Sequence, residues 1–222
     1  ADVVATYADG KISRTEQDDD FDGLFEKKVA SGKGGSQLQE VDKTGDGKTD
    51  LWITLGADGE VSRQEEDRDF DGKPDVISRF EGAPPRRSEE DPDGDGEADV
   101  VVEYQGGRKK IQTEDRDFDG SVDVVTHFGD DEKPARLEED SDGDGRRETV
   151  SFLETGELAR TEKDRDGDRQ ADVIATYVDG KISRTEQDDD FDGVFEKKVA
   201  SGKGGSQLQE VDKNGDGKTD LW

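Results

Sequence analysis

Carboxylates at alternate positions of a short glycine-containing stretch are the residues of this chain best equipped for chemistry. The pattern is D-x-D-x-D-G-x-x-D/E, which suits capture of a hard divalent cation. It occurs nine times, and successive copies start 24 or 25 residues apart (42 − 18 = 24, 67 − 42 = 25). Position one is Asp18, Asp42, Asp67, Asp91, Asp115, Asp140, Asp164, Asp188 and Asp212. Position three is Asp20, Thr44, Asp69, Asp93, Asp117, Asp142, Asp166, Asp190 and Asn214, where Thr and Asn still supply an oxygen. Position five is Asp22, Asp46, Asp71, Asp95, Asp119, Asp144, Asp168, Asp192 and Asp216. The seventh residue offers its backbone carbonyl: Leu24, Lys48, Lys73, Glu97, Ser121, Arg146, Gln170, Val194 and Lys218. Position nine closes the shell with Glu26, Asp50, Asp75, Asp99, Asp123, Glu148, Asp172, Glu196 and Asp220. Calcium takes roughly six to eight oxygens in flexible geometry, whereas magnesium asks for stricter octahedral geometry and fewer protein ligands. About one Ca2+ per loop is therefore expected. Glycine at position six permits the sharp turn, and Arg169 is the departure there.

Composition says why a cation is needed. The chain has 222 residues, with 61 acidic and 32 basic side chains and a formal net charge of −29. Only 27% of residues are hydrophobic, against roughly 45–50% in ordinary soluble domains. Burial on that scale cannot offset the chain entropy of folding. Nine calcium ions would bring 9 × 2 = 18 charges and move −29 to −11. Ion binding to a site absent from the unfolded chain is itself folding free energy. Such acidity argues against nucleic-acid partners and anionic membranes. No stretch reaches the ~18 apolar residues of a spanning helix, and no signal peptide opens the chain. Cysteine is absent, which excludes disulfides and thiolate sites, and His127 as lone histidine disfavours zinc.

The segments between the loops must position them. After the loop at 164–172 come Val173-Ile174-Ala175-Thr176-Tyr177, an Asp179-Gly180 turn, and Ile182-Ser183-Arg184-Thr185-Glu186. β-Branched and aromatic residues around an Asp-Gly turn read as a hairpin. Asp58-Gly59, Gly106-Gly107, Gly129-Asp130-Asp131 and Gly82-Ala83-Pro84-Pro85 stand at the same place in other units. No segment holds a 3.6-residue apolar period. The fold class expected is all-β: a repetitive antiparallel β-hairpin array, an elongated meander or solenoid-like ribbon with a Ca2+ loop in each unit. Apolar residues gather in the strand after each loop, as in Val76-Ile77 and Val100-Val101-Val102, so a thin core is expected. Residues 1–52 return almost unchanged as 171–222, differing only at Val4/Ile174, Ala8/Val178, Leu24/Val194 and Thr44/Asn214. The offset of 171 − 1 = 170 residues spans seven units, and both Asp2 and Trp222 fall inside a unit. The chain reads as one tandem array, a window of a longer one.

The loops resemble the calcium-binding hairpin loops of FG-GAP repeats in integrin α-chain propellers. They are also similar to the aspartate-rich loops of thrombospondin type 3 repeats and of bacterial surface or fibre repeat proteins. The units are much shorter than FG-GAP blades. The pattern also departs from the EF-hand, with Ile53, Ser78 and Val102 where that family has its twelfth-position Glu. The resemblance implies extracellular calcium binding, adhesion or scaffold roles, and no catalysis. The expected function is a non-enzymatic, calcium-stabilised structural protein outside the cell or on its surface. It would self-associate into a fibre, filament or biofilm-matrix bundle. The alternative is a closed β-propeller-like adhesion module for a surface glycan or protein ligand. A third reading is a calcium-buffering or mineral-binding polymer with little fixed structure. Membrane insertion is not expected.

Two recurrences carry further expectations. A Glu stands two residues before most loops, at Glu16, Glu40, Glu65, Glu89, Glu138, Glu162, Glu186 and Glu210. It is placed to reach an ion in the neighbouring loop and join successive sites into a ladder, or else it is an exposed strand end. Position four alternates Phe21, Gly45, Phe70, Gly94, Phe118, Gly143, then Gly167, Phe191, Gly215, which suggests that every second loop packs its Phe on something shared, a partner strand or a neighbouring chain. Two features are set aside. Gly32-Lys33-Gly34-Gly35-Ser36, with its copy at 202–206, lacks P-loop spacing and reads as a turn. His127 has no nucleophile partner and reads as a surface or cross-strand residue.

Overall fold

The computed structural model describes residues 2–81, 85–202, 206–212, 216 and 218–220. The chain divides into two compact units, 1–109 and 110–222. The first contains β1 (Val3–Ala8), β2 (Lys11–Gln17), β3 (Lys27–Ser31), β4 (Gln37–Val41), β5 (Leu51–Leu55), β6 (Val61–Glu66), β7 (Val76–Phe80), β8 (Pro85–Glu90) and β9 (Val100–Gln105). The second holds β10 (Arg108–Glu114) from Lys110 onward, then β11 (Val124–Phe128), β12 (Pro134–Glu139), β13 (Thr149–Glu154), β14 (Glu157–Lys163), β15 (Val173–Val178), β16 (Lys181–Gln187), β17 (Lys197–Ser201) and β18 (Gln207–Val211).

Within each unit every strand pairs antiparallel with its sequence neighbours, from β1 through β9 and from β10 through β18. The fold is all-β, a repetitive hairpin meander. No α-helix occurs among the described residues. Plain turns and acidic loops alternate as connections, so they emerge on opposite edges of the sheet. Asp9-Gly10 and Asp179-Gly180 hold positive φ at both residues (50° and 74°, 51° and 69°). That is the two-residue turn whose twist matches the flanking strands. Gly32–Ser36 forms the β3–β4 connection, with a 3-10 turn at Lys33–Gly35, as the turn reading requires. Its copy at 203–205 and the turn at 82–84 lie outside the described residues.

Side-chain alternation sorts the two faces. One carries an Arg two residues ahead of a Glu on the return strand, and an aliphatic residue between successive Glu. In the second unit this row reads Val125, Glu138, Val150, Glu162, Ile174, Glu186 in cross-strand register. The other face bears smaller and β-branched side chains, as in the row Thr126, Leu137, Ser151, Thr161, Ala175, Thr185. Among the described residues, the buried strand residues (Val76, Val102, Val124, Thr126 and Ala175) lie on this second face. Four of these are hydrophobic, a core as thin as the composition requires.

Candidate metal centre

The acidic loops join β2 to β3, β4 to β5, β6 to β7 and β8 to β9 in the first unit. In the second they join β10 to β11, β12 to β13, β14 to β15 and β16 to β17, with a ninth following β18. Each is wound around its first aspartate. In eight loops Oδ1 of that residue accepts the position-four N–H at 2.7–2.8 Å. Its Oδ2 accepts the position-six N–H at 2.7–3.1 Å. Arg169 fits this scheme: it adopts φ 74° and its N–H donates to Asp164, so the seventh loop keeps its turn.

In all nine loops the position-seven N–H (Leu24, Lys48, Lys73, Glu97, Ser121, Arg146, Gln170, Val194, Lys218) donates to the position-five aspartate at 2.7–3.0 Å. The ninth residue folds back and accepts the position-two N–H, as Asp50 does from Lys43 at 2.7 Å and Glu196 from Asp189 at 2.9 Å. Pro92 occupies position two of the fourth loop and has no N–H to give. Asn214 lies outside the described residues.

These bonds aim the remaining oxygens at one point. Asp18, Asp20, Asp22 and Glu26 present ligand atoms all within 4.8 Å of one another. So do Asp140, Asp142, Asp144 and Glu148; Asp188, Asp190, Asp192 and Glu196; Asp42, Asp46 and Asp50; and Asp67, Asp69 and Asp71. Oxygens on opposite sides of a calcium ion, each at about 2.4 Å, stand about 4.8 Å apart, so the clusters have the dimensions of a calcium shell.

Burial adds a stronger indication. Among the described residues nine aspartates of the first and ninth positions are buried, with Asp50, Asp67 and Asp188 at 1–2% exposure, against four buried hydrophobic side chains. Buried carboxylates are costly unless paired or bound to a metal. Glu26, Glu148 and Glu196 each spend Oε2 on a loop N–H. The Oε1 atoms of the same three residues are buried without any hydrogen-bond partner. An orphaned carboxylate oxygen at the same position of three loops, facing three more carboxylates, fits a cation as its missing partner.

Electrostatics agree. Desolvation, together with Asp119, Asp123 and Asp115, pushes the Asp117 carboxyl above its ordinary value. Burial would raise Asp42, but the N–H groups of Gly47 and Gly45 and the Thr44 hydroxyl outweigh it and hold the carboxyl low. Arg146 binds Asp144 through Nε and Nη2 and holds that carboxyl low as well.

The ladder expected from the Glu before each loop is not what the structure builds. Glu16, Glu65, Glu89, Glu138, Glu162 and Glu186 pair instead with the Arg two residues earlier, and Glu138 also meets His127 across the β11–β12 pair at 2.9 Å. Strand side chains stand on the faces of the sheet, so these residues meet same-face neighbours rather than the loop beside them.

Successive loops are joined by backbone and by cations. The ninth-residue carbonyl of one loop accepts the first-residue N–H of the next, as from Asp42 to Glu26, Asp67 to Asp50, Asp164 to Glu148 and Asp188 to Asp172, at 2.8–2.9 Å. Lys48 and Lys73 each reach a position-four carbonyl of the next loop, at Phe70 and Gly94. Arg165 donates to the Asp188 carbonyl, pairs with Asp189 and stacks 5.2 Å from the Phe191 ring centre. The recurrence of basic residues at positions two and seven was the available signal for these links.

No family model matches the chain, and no curated protein matches it in sequence. The repeated acidic loops between antiparallel strands fit a calcium-binding β-repeat. Among the described residues no helix is long and apolar enough to cross a membrane.

Proposed function

We propose that this chain is a calcium-stabilised structural repeat protein of the extracellular space or cell surface. It serves as a length of fibre or matrix filament and has no catalytic role. The observation that carries the reading is the inversion of ordinary burial: among the described residues the buried side chains are mostly loop aspartates, and the position-nine Glu26, Glu148 and Glu196 each add a buried oxygen lacking a partner. Such a chain gains order where calcium is abundant, because filling each site stabilises the folded state by mass action.

Extracellular calcium modules bind at about 10⁻⁴–10⁻³ M, and sites in that range would fill outside the cell. Units that contact only their neighbours can be added in series, each stabilised by its own ion and by the next unit. Equilibrium dialysis of the 222-residue chain against graded free calcium tests this. Uptake of about one ion per loop in the millimolar range supports the proposal, and no uptake at 10 mM calcium contradicts it.

A further inference from the structure

Position nine is closed by Glu in three loops and by Asp in six, and the structure uses the two residues differently. Glu26, Glu148 and Glu196 each accept one loop N–H, that of position two, on Oε2. Oε1 of each is buried without a hydrogen-bond partner. Asp50 instead gathers the N–H groups of Lys43 and Thr44 on Oδ2, and Asp75 those of Arg68 and Asp69. The shorter side chain caps the start of its loop, whereas the longer one caps with one oxygen and holds the other in reserve. Pro92 has no N–H to give, so the loop at 91–99 lacks the position-two bond that both patterns share.

The carboxylate clusters divide in the same way. Each of the three Glu-closed loops brings four carboxylates within 4.8 Å of one another, position nine included. The set at 67–75 is Asp67, Asp69 and Asp71; that at 42–50 is Asp42, Asp46 and Asp50, with neutral Thr44 at position three. Neighbouring sequence does not cause the difference. The loops at 18–26 and 140–148 disagree at positions two, four, seven and eight (Asp19, Phe21, Leu24 and Phe25 against Ser141, Gly143, Arg146 and Arg147), yet both orphan the same oxygen. Charge does not cause it either, since the loops at 67–75 and 140–148 each carry four acidic and two basic side chains.

We infer that a ninth-position Glu sets a tight class of calcium sites, so that the loops at 18–26, 140–148 and 188–196 fill before those at 42–50 and 67–75. This rests on the calcium reading above and names which of its sites act first. Calcium affinity follows the number of charged oxygens in the shell and the rigidity of the site. The orphaned Oε1 has already left water on folding and gained nothing in return, so an ion that meets it displaces no bond. At Asp50 and Asp75 the ion competes with two N–H groups for one carboxylate.

Staged filling has a structural consequence. The tight loops join β2 to β3 in one compact unit, and β12 to β13 and β16 to β17 in the other. Calcium too dilute to load every loop still fixes these strand pairs, and the strands around the loops at 42–50 and 67–75 order as it rises. Each unit thus keeps an ordered part from which its neighbours extend.

Calorimetric titration of the intact chain, with amide exchange followed at each calcium level, tests the inference. The N–H groups of Phe21, Gly143 and Phe191, each bonded to the first aspartate of its loop, report the tight class. They should become protected at about tenfold less calcium than those of Gly45 and Phe70. Glu148→Asp should weaken its own site by about tenfold or more without changing the formal charge. The reciprocal Asp75→Glu should move the loop at 67–75 into the tight class and bring protection of the Phe70 N–H to the lower calcium level. That gain of affinity is not an outcome that a misfolded variant can imitate. Unchanged affinity on Asp75→Glu, or one protection midpoint shared by all five loops, overturns this inference and leaves calcium binding in place. A chain that takes up no calcium overturns the parent reading along with it.

Discussion

Replacing Glu148 with Gln separates a metal ligand from a structural cap, because only the loss of a ligand depends on the calcium concentration. Glu148 Oε2 accepts the Ser141 N–H at 3.1 Å, while its buried Oε1 has no hydrogen-bond partner and faces Asp140, Asp142 and Asp144. A divalent ion about 2.4 Å from a carboxylate oxygen gains on the order of 3.5 kcal/mol even at the dielectric of water. A neutral amide oxygen recovers part of this, leaving a loss of about 2 kcal/mol, or about 30-fold in Kd.

Without calcium the balance differs. The substitution removes repulsions from the three aspartates of about 1 kcal/mol each at that dielectric. Against that stands about 1 kcal/mol from weakening the bond to Ser141. Calorimetric titration should show one site leaving the tight class, and the loss in thermal midpoint should grow as calcium rises and level off once the weakened site is full. A loss independent of calcium concentration would make Glu148 a cap and refute the ligand assignment.

Phe70→Gly should stabilise the calcium-loaded monomer by about 1 kcal/mol by relieving its left-handed backbone, visible as a rise of about 2–4 °C in Tm. Arg165→Ala should expose the loop at 188–196 by removing the bond to the Asp188 carbonyl and the contact with Phe191. Amide exchange there should accelerate roughly tenfold, for a loss of about 1–2 kcal/mol, while the loop at 42–50 is unaffected. The Asp42 carboxyl is held low in the folded chain, so its stabilisation is present above the unfolded Asp value and disappears as pH falls through the folded one. Acid titration in calcium should therefore leave the fold intact at pH 6 and unfold it below about pH 4; unfolding already near pH 6 would contradict that sign.

Periodicity made the strands, the turns and the acidic clusters readable from the sequence, because one unit repeats often enough for its variable residues to stand apart from its fixed ones. Asp58-Gly59 and Asp179-Gly180 announced their hairpins, and alternate aspartates announced the sites. The destination of the Glu before each loop was not readable, since proximity along the chain competes with the alternation of a strand, and alternation prevails. The runs Val100-Val101-Val102 and Leu51-Trp52-Ile53 concealed the difference between the faces, because consecutive apolar residues carry no period of two. Gly45 and Gly94 at position four signalled a left-handed backbone, but Phe21 and Phe70 at the same position masked it.

Far-UV circular dichroism of the intact chain, first in millimolar calcium and then in excess EGTA, tests most directly whether divalent ions order a sheet with so few buried apolar side chains. The account predicts a β-spectrum in calcium that collapses toward disorder on chelation and returns when calcium is restored. A β-spectrum unchanged by EGTA would contradict it.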